Sequence, residues 1–196
     1  MNNQLIKEFY TDNEIKTFHG FRLLSIDGSQ TQLPSSEELI DYYGVTRNQN
    51  GGIPMAQAST LFDVLNKITV DALIAPYKAS ERDLAIEHIC NLVEVNKNTG
   101  FITNNIEDLF LFDRWYPSME LLITLHENKK DFIMRCPSLF LNVIQQAVKK
   151  GKCDQILEIN FAHLSNSTKR KIKHKIGEAI RTDQVLYFGI LLQILP

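Results

Sequence analysis

Two aspartates follow apolar runs in separate parts of this chain. Asp27 closes FRLLSI (21–26) and is followed by Gly-Ser, while Asp113 closes DLFLF (108–112) and is followed by Arg-Trp-Tyr-Pro-Ser. If both runs are strands and neighbours in one sheet, both carboxylates arrive at the carboxyl edge, where open α/β sheets bind their ligands. A pair of hard oxygen donors suits Mg²⁺ or Mn²⁺, ions that keep several waters and accept phosphate oxygens. The chemistry open to such a pair is metal-assisted phosphoryl transfer. Plainer uses exist for the same residues: Asp-Gly after a strand is common turn chemistry, and Asp113 can cap a helix or pair with Arg114. Spacing alone leaves both readings open.

The elements that must position these residues follow from periodicity. Phe21 to Ile26 has few polar positions and predicts a strand buried on both faces of a mixed sheet, ending at Asp27. Residues 30–57 are rich in Gln, Ser, Asn, Gly and Pro and predict a long connection, with NQNGGIP as loop. Alternation at Ile68, Val70, Ala72 and Ile74 predicts a strand, joined to the preceding one through a two-residue Asn66-Lys67 turn. Ser80 with Asp83 matches a capping box, and Ala85, Ile89, Leu92 and Val93 continue it as a helix of about four turns. DLFLFD (108–113) is a strand that stops on Asp113, MELLITLHENKK (119–130) a helix with one apolar face marked by Leu121, Leu122 and Leu125, and KDFIMRCP (130–137) a short strand closed by Pro137. The order strand, hairpin, helix, strand, helix, strand describes a mixed α/β sheet covered by helices.

At 196 residues, 44% hydrophobic and 22% charged, the chain has ordinary globular composition. Residues 1–146 carry 12 Lys+Arg against 19 Asp+Glu, and residues 147–181 reverse this to 9 against 3. That polarity predicts an acidic body and a basic segment able to meet a polyanion. Lys169, Arg170, Lys171, Lys173 and Lys175 spread around a predicted helix; phosphate contact and a solvated helix face are equally good readings. Cys90, Cys136 and Cys153 are scattered without C-x-x-C spacing, which fits a reducing cytoplasm. The beginning lacks the pattern of a signal peptide, and the longest apolar run, Val185 to Leu195, falls short of the roughly 20 residues that span a bilayer. Ser29 has no histidine partner visible in the sequence, so a serine hydrolase has little support. It also stands where common aspartyl-phosphate enzymes with a nucleophile at Asp27 would need a second aspartate.

Three blocks carry a resemblance. HGFRLLSIDGSQTQLP (19–34), the segment from YYGVTRNQNGGIP to ASERDLA (42–85), and LFDRWYPSMELL (111–122) resemble, in order and spacing, the catalytic domain of bacterial insertion-sequence DDE transposases. The resemblance covers residues 18–137. It implies an RNase H-like fold for that stretch, after a lead-in at 1–17 and before a basic insertion region at 138–196. It further implies that Asp27 and Asp113 are the first two catalytic, metal-binding carboxylates, with Mg²⁺ or Mn²⁺ as cofactor. Arg114 would hold a backbone phosphate. DNA, as element ends and target, would be the partner in a cytoplasmic, nucleoid-associated setting, with room for a homo-oligomer and no membrane.

The sequence departs from that family twice. Trp115 stands where the family usually has glycine, and the bulkier ring is expected to pack on the strand or on DNA. The third carboxylate belongs to a helical Tyr-x2-Arg-x3-Glu pattern, and no such pattern follows Asp113. Glu158 and Glu178 are poor substitutes by context, and the chain is expected to stop inside the family's insertion. Little or no transposition by this polypeptide alone follows as an expectation, with a non-catalytic DNA-binding or regulatory remnant as the alternative.

Overall fold

A computed structural model describes residues 3–48, 51–99, 106–137, 140–151, 154–160, 166–167, 169–170 and 185–191. The chain divides into two units, one of Met1–Phe112 with Asn128–Ile133, the other of Asp113–Glu127 with Met134–Pro196.

The first unit opens with α1 (Asn3–Asp12) and β1 (Phe21–Gln32). It continues through α2 (Glu37–Tyr43), β2 (Val45–Asn48), β3 (Gly51–Asp63), β4 (Ile68–Pro76), α3 (Glu81–Thr99) and β5 (Glu107–Phe112). The strands form one sheet in the order β2-β3-β1-β5-β6, where β6 is Asp131–Met134 and β4 also pairs with β3. β1 runs antiparallel to β3 and parallel to β5, so the sheet is mixed and helices flank it. The core draws Leu24 and Ile26 from β1, Leu61 from β3, Phe110 and Phe112 from β5, and Leu84, Ala85, Ile89 and Leu92 from α3. Each Leu, Ile or Phe among them contributes about 1.5–3 kcal/mol by leaving water.

Four sequence expectations about the strands and their connections need correction. β1 does not end at Asp27 but continues to Gln32, paired with β3 along that whole length. Its faces also differ: Arg22, Leu24 and Ile26 are buried while Phe21, Leu23 and Ser25 are only partly covered. The expected connection over 30–57 instead holds the end of β1, α2, β2 and the start of β3. Glycine and proline in NQNGGIP serve a strand pair: a Cβ on Gly52 would meet the Val45 Cβ at 3.2 Å, and the Pro54 carbonyl accepts from Leu33 N–H at 3.0 Å.

The fourth correction is the β3–β4 hairpin, whose connection is Val64 to Lys67, four residues and not two. Asp63 organises it, its Oδ1 accepting from Asn66 N–H at 3.0 Å and its backbone carbonyl from Lys67 N–H at 2.8 Å. Lys67 closes the turn at φ 56, a left-handed conformation that favours glycine. Lys67→Gly should therefore raise stability by about 0.5–1 kcal/mol, read as a higher urea midpoint at unchanged slope.

α3 begins directly after Ser80, whose carbonyl accepts from Leu84 N–H at 3.1 Å, and runs 19 residues, a turn beyond the expected length. In the second unit, α4 (Met119–Glu127) starts beside Ser118, whose hydroxyl accepts from Leu121 N–H at 3.1 Å as an N-cap does. Leu121 to Leu125 are all buried, Thr124 among them, so α4 is buried around its girth and not along one face. α5 (Asn142–Lys149) lies against β7 (Asp154–Asn160), which pairs antiparallel with β8 (Val185–Leu191). Among the described residues no helix is long and apolar enough to cross a membrane.

Candidate functional site

The parallel β1–β5 pair is set by charge as well as by apolar packing. Arg22 and Asp108 are register partners, and both are buried. Arg22 Nε and Nη2 reach Asp108 Oδ1 at 2.8 and 2.6 Å, while Lys130 Nζ takes Oδ2 at 2.8 Å. Burial works against the guanidinium charge, but Asp108 and Tyr10 outweigh it and hold Arg22 above its ordinary pKa. The Arg22 guanidinium lies 4.7 Å over the Tyr10 ring, whose hydroxyl donates to Asp63 Oδ2 at 2.7 Å. Burial pushes that phenol well above its usual range, against the pull of Arg22.

From this anchor the two strands run in step. The last register pair is Ser25 with Leu111, and each chain reaches its aspartate two residues later. Alternation along β1 puts Asp27 on the face opposite Arg22, Leu24 and Ile26, and its side chain is exposed. Asp27 Oδ1 accepts from Gly28 N–H at 2.9 Å. Asp113, the first residue after β5, accepts through Oδ1 from Arg114 N–H and lies 3.7 Å from Arg135 Nη1. Both members of that ion pair are exposed, so it contributes little to stability. Each carboxylate is thus oriented by the amide that follows it.

At Gly28 the missing side chain leaves room for two side-chain ends. A Cβ there would sit 2.9 Å from Gln57 Nε2 and 3.0 Å from Glu81 Oε1, and those two groups bond to each other at 3.3 Å. Glu81, the first residue of α3, therefore spends its carboxylate on the strand beside Asp27.

Beneath β1 lies a chain that the sequence analysis missed. His88 Nδ1 is 2.8 Å from Asp71 Oδ2, and His88 Nε2 is 3.1 Å from Ser59 Oγ. Asn91 Nδ2 also donates to Asp71 Oδ2 at 3.1 Å, and Ser59 Oγ approaches the Asp27 carbonyl at 3.5 Å. Burial raises the Asp71 carboxyl, but the bonds from His88 and Asn91 prevail and hold it below its usual range. Ser, His and Asp in this order resemble a nucleophilic triad. Ser59 and His88 are 1% and 0% exposed, however, so the hydroxyl cannot meet a substrate. A sequence signal existed: His88 sits in the apolar stripe of α3 and Ser59 at an inward position of β3.

The other expected site residues divide. Arg114 stacks over Trp115 at 5.3 Å, and Trp115 is 65% exposed, so its ring does not enter a core. Of the tyrosines in the three blocks quoted above, Tyr42 is exposed and Tyr116 is buried. Lys169 and Arg170 are helical, the first half-buried and the second exposed, whereas Lys171, Lys173 and Lys175 lie outside the described residues. Among the described residues there is no group of three or more His, Cys, Asp or Glu that could hold a metal.

No protein-family model matches the chain. It is 31% identical over 114 residues to the “Putative transposase InsZ” of Escherichia coli (strain K12). The match covers 56% of this chain and 34% of that protein, so the chain spans about a third of the length of this relative. The similarity is distant and lies at the level of a transposase family.

Proposed function

We propose that this chain is the RNase H-like core of a DDE-type DNA transposase, in which Asp27 and Asp113 together hold a divalent metal ion against a DNA phosphate. One observation carries the proposal: β1 and β5 are neighbouring parallel strands, and both reach an aspartate two residues past their last register pair. The mixed sheet with flanking helices supports the fold reading, and the InsZ match supports the family.

The donors suit the ion in kind. Two exposed carboxylates, each turned by its own following amide, offer hard oxygens to Mg²⁺ or Mn²⁺. Such an ion, when bound, would polarise a phosphate and activate water for strand cleavage, with strand transfer to target DNA to follow. Arg114, and Arg135 beside Asp113, supply positive charge for the backbone. Lys169, Arg170, Lys171, Lys173 and Lys175 would add phosphate contacts farther along the chain.

Two carboxylates in place of three should hold the metal weakly and orient it poorly. The purified 196-residue chain should therefore bind DNA yet give little or no Mg²⁺- or Mn²⁺-dependent nicking of DNA carrying the sequences that flank its coding region. Robust nicking that Asp27→Ala abolishes would refute the incompleteness of the site. DNA binding insensitive to both Asp27→Ala and Asp113→Ala, without cleavage under any metal, would favour the second reading, a non-catalytic binding remnant.

A further inference from the structure

The most unusual polar feature outside the two aspartates is the chain Asp71–His88–Ser59 under the β1–β3 ladder. Four side chains, Asn91, Asp71, His88 and Ser59, form this chain, and its imidazole and hydroxyl are buried, as are Leu84, Ala85, Ile89 and Leu92 of the same helix as His88. Polar groups buried in such a place are costly unless each finds a partner, and here each one does.

Its geometry is directed. Ser59 is the register partner of Gly28, and the next pair along is Asp27 with Thr60. The side-chain ends of Gln57 and Glu81 occupy the place a Cβ on Gly28 would take. Two contacts from α3 therefore meet β1 at neighbouring residues, Glu81 through Gln57 at Gly28, and His88 through Ser59 at the Asp27 carbonyl.

Proton counting shows what the chain can do. The Asp71 carboxylate, as an acceptor, fixes the proton on Nδ1 of His88. With Nε2 bare, the Ser59 hydroxyl donates to the ring. With Nε2 protonated, the ring donates to Oγ and the hydroxyl proton turns to the Asp27 carbonyl. Ser59 Oγ lies between the same two partners in both states, and in the second its hydroxyl donates to the Asp27 carbonyl and ties β1 to the ring.

We infer that His88 is a positioning residue for Asp27: braced by Asp71 and Asn91, it fixes Ser59 beneath the strand and so holds the backbone from which the Asp27 carboxylate projects. This inference rests on the metal-binding reading of Asp27. A carboxylate that shares an ion needs its supporting backbone held to within about 0.5 Å, and β1 has lost its β5 partner at Asp27.

The test is the Mn²⁺ dissociation constant of the full chain, read by electron paramagnetic resonance of the free ion. Ser59→Ala deletes one oxygen, and His88→Gln removes the ring. Each should weaken Mn²⁺ binding roughly tenfold, the lower end of the range for outer-shell supports of a metal site. Tyr10→Phe, which breaks the bond to Asp63 elsewhere in the same unit, should leave the affinity unchanged. In an Asp27→Ala background, Ser59→Ala should cause no further loss. Wild-type affinity in Ser59→Ala, or an equal loss in the Asp27→Ala background, would overturn the inference and leave the proposed function standing. Mn²⁺ binding that Asp27→Ala does not change would overturn the proposed function, and the inference with it.

Discussion

Asp108→Ala should destabilise the chain by about 3–5 kcal/mol, the largest loss expected from any single polar substitution here. Asp108 is the common partner of Arg22 and Lys130, and it is 7% exposed. Its removal leaves the Arg22 guanidinium, 1% exposed, without a counter-charge in the core. Lys130→Met should cost less, because the lysine side chain is partly exposed and Asp108 keeps Arg22. The double variant Arg22→Met, Asp108→Leu should be close to neutral, since matched apolar replacement of a buried ion pair often is. Urea denaturation followed by far-UV circular dichroism measures all three. A large loss in the single variant beside a small one in the double variant would show that the cost comes from the charge left unpaired and that the pair adds little net stability.

The second large effect concerns the metal. Asp27→Ala and Asp113→Ala should each lower Mn²⁺ affinity at least roughly tenfold, because loss of even an outer-shell support costs 10–100-fold and these are direct ligands in the proposed site. Both side chains are exposed, so neither substitution should change the unfolding free energy by more than about 0.5 kcal/mol. Affinity that falls while stability stays is the signature of a ligand. A loss in only one variant would leave a single carboxylate with the ion, and the paired site would fail.

How much of this was legible in the sequence differs by element. β5, α3 and β4 were readable because their periods are clean, and the β3–β4 hairpin was readable in place but not in the length of its turn, which Asp63 sets by accepting from Asn66 and Lys67. The second half of β1 was not, because Asp27 to Gln32 is polar and mostly exposed, so no alternation of burial marks it as strand. β2 and the start of β3 were hidden by Asn, Gly and Pro, whose usual meaning is loop.

The site was legible in the same uneven way. Asp27 and Asp113 stood out because each interrupts an apolar run. Arg22 and Asp108 carried a stronger signal that was passed over: opposite charges within two apolar strands, each five residues before its aspartate, point to the parallel register directly. Ser59, Asp71 and His88 come from a strand, its hairpin partner and a helix, so only the folded chain brings them together.

The most direct measurement is a crystal structure of the chain grown with Mn²⁺ and scanned at the manganese edge. The expected result is an anomalous peak about 2.1–2.3 Å from carboxylate oxygens of both Asp27 and Asp113. Carboxylates more than about 8 Å apart, too far to share ions at the usual spacing of about 4 Å, would contradict the paired site, as would a peak on neither residue.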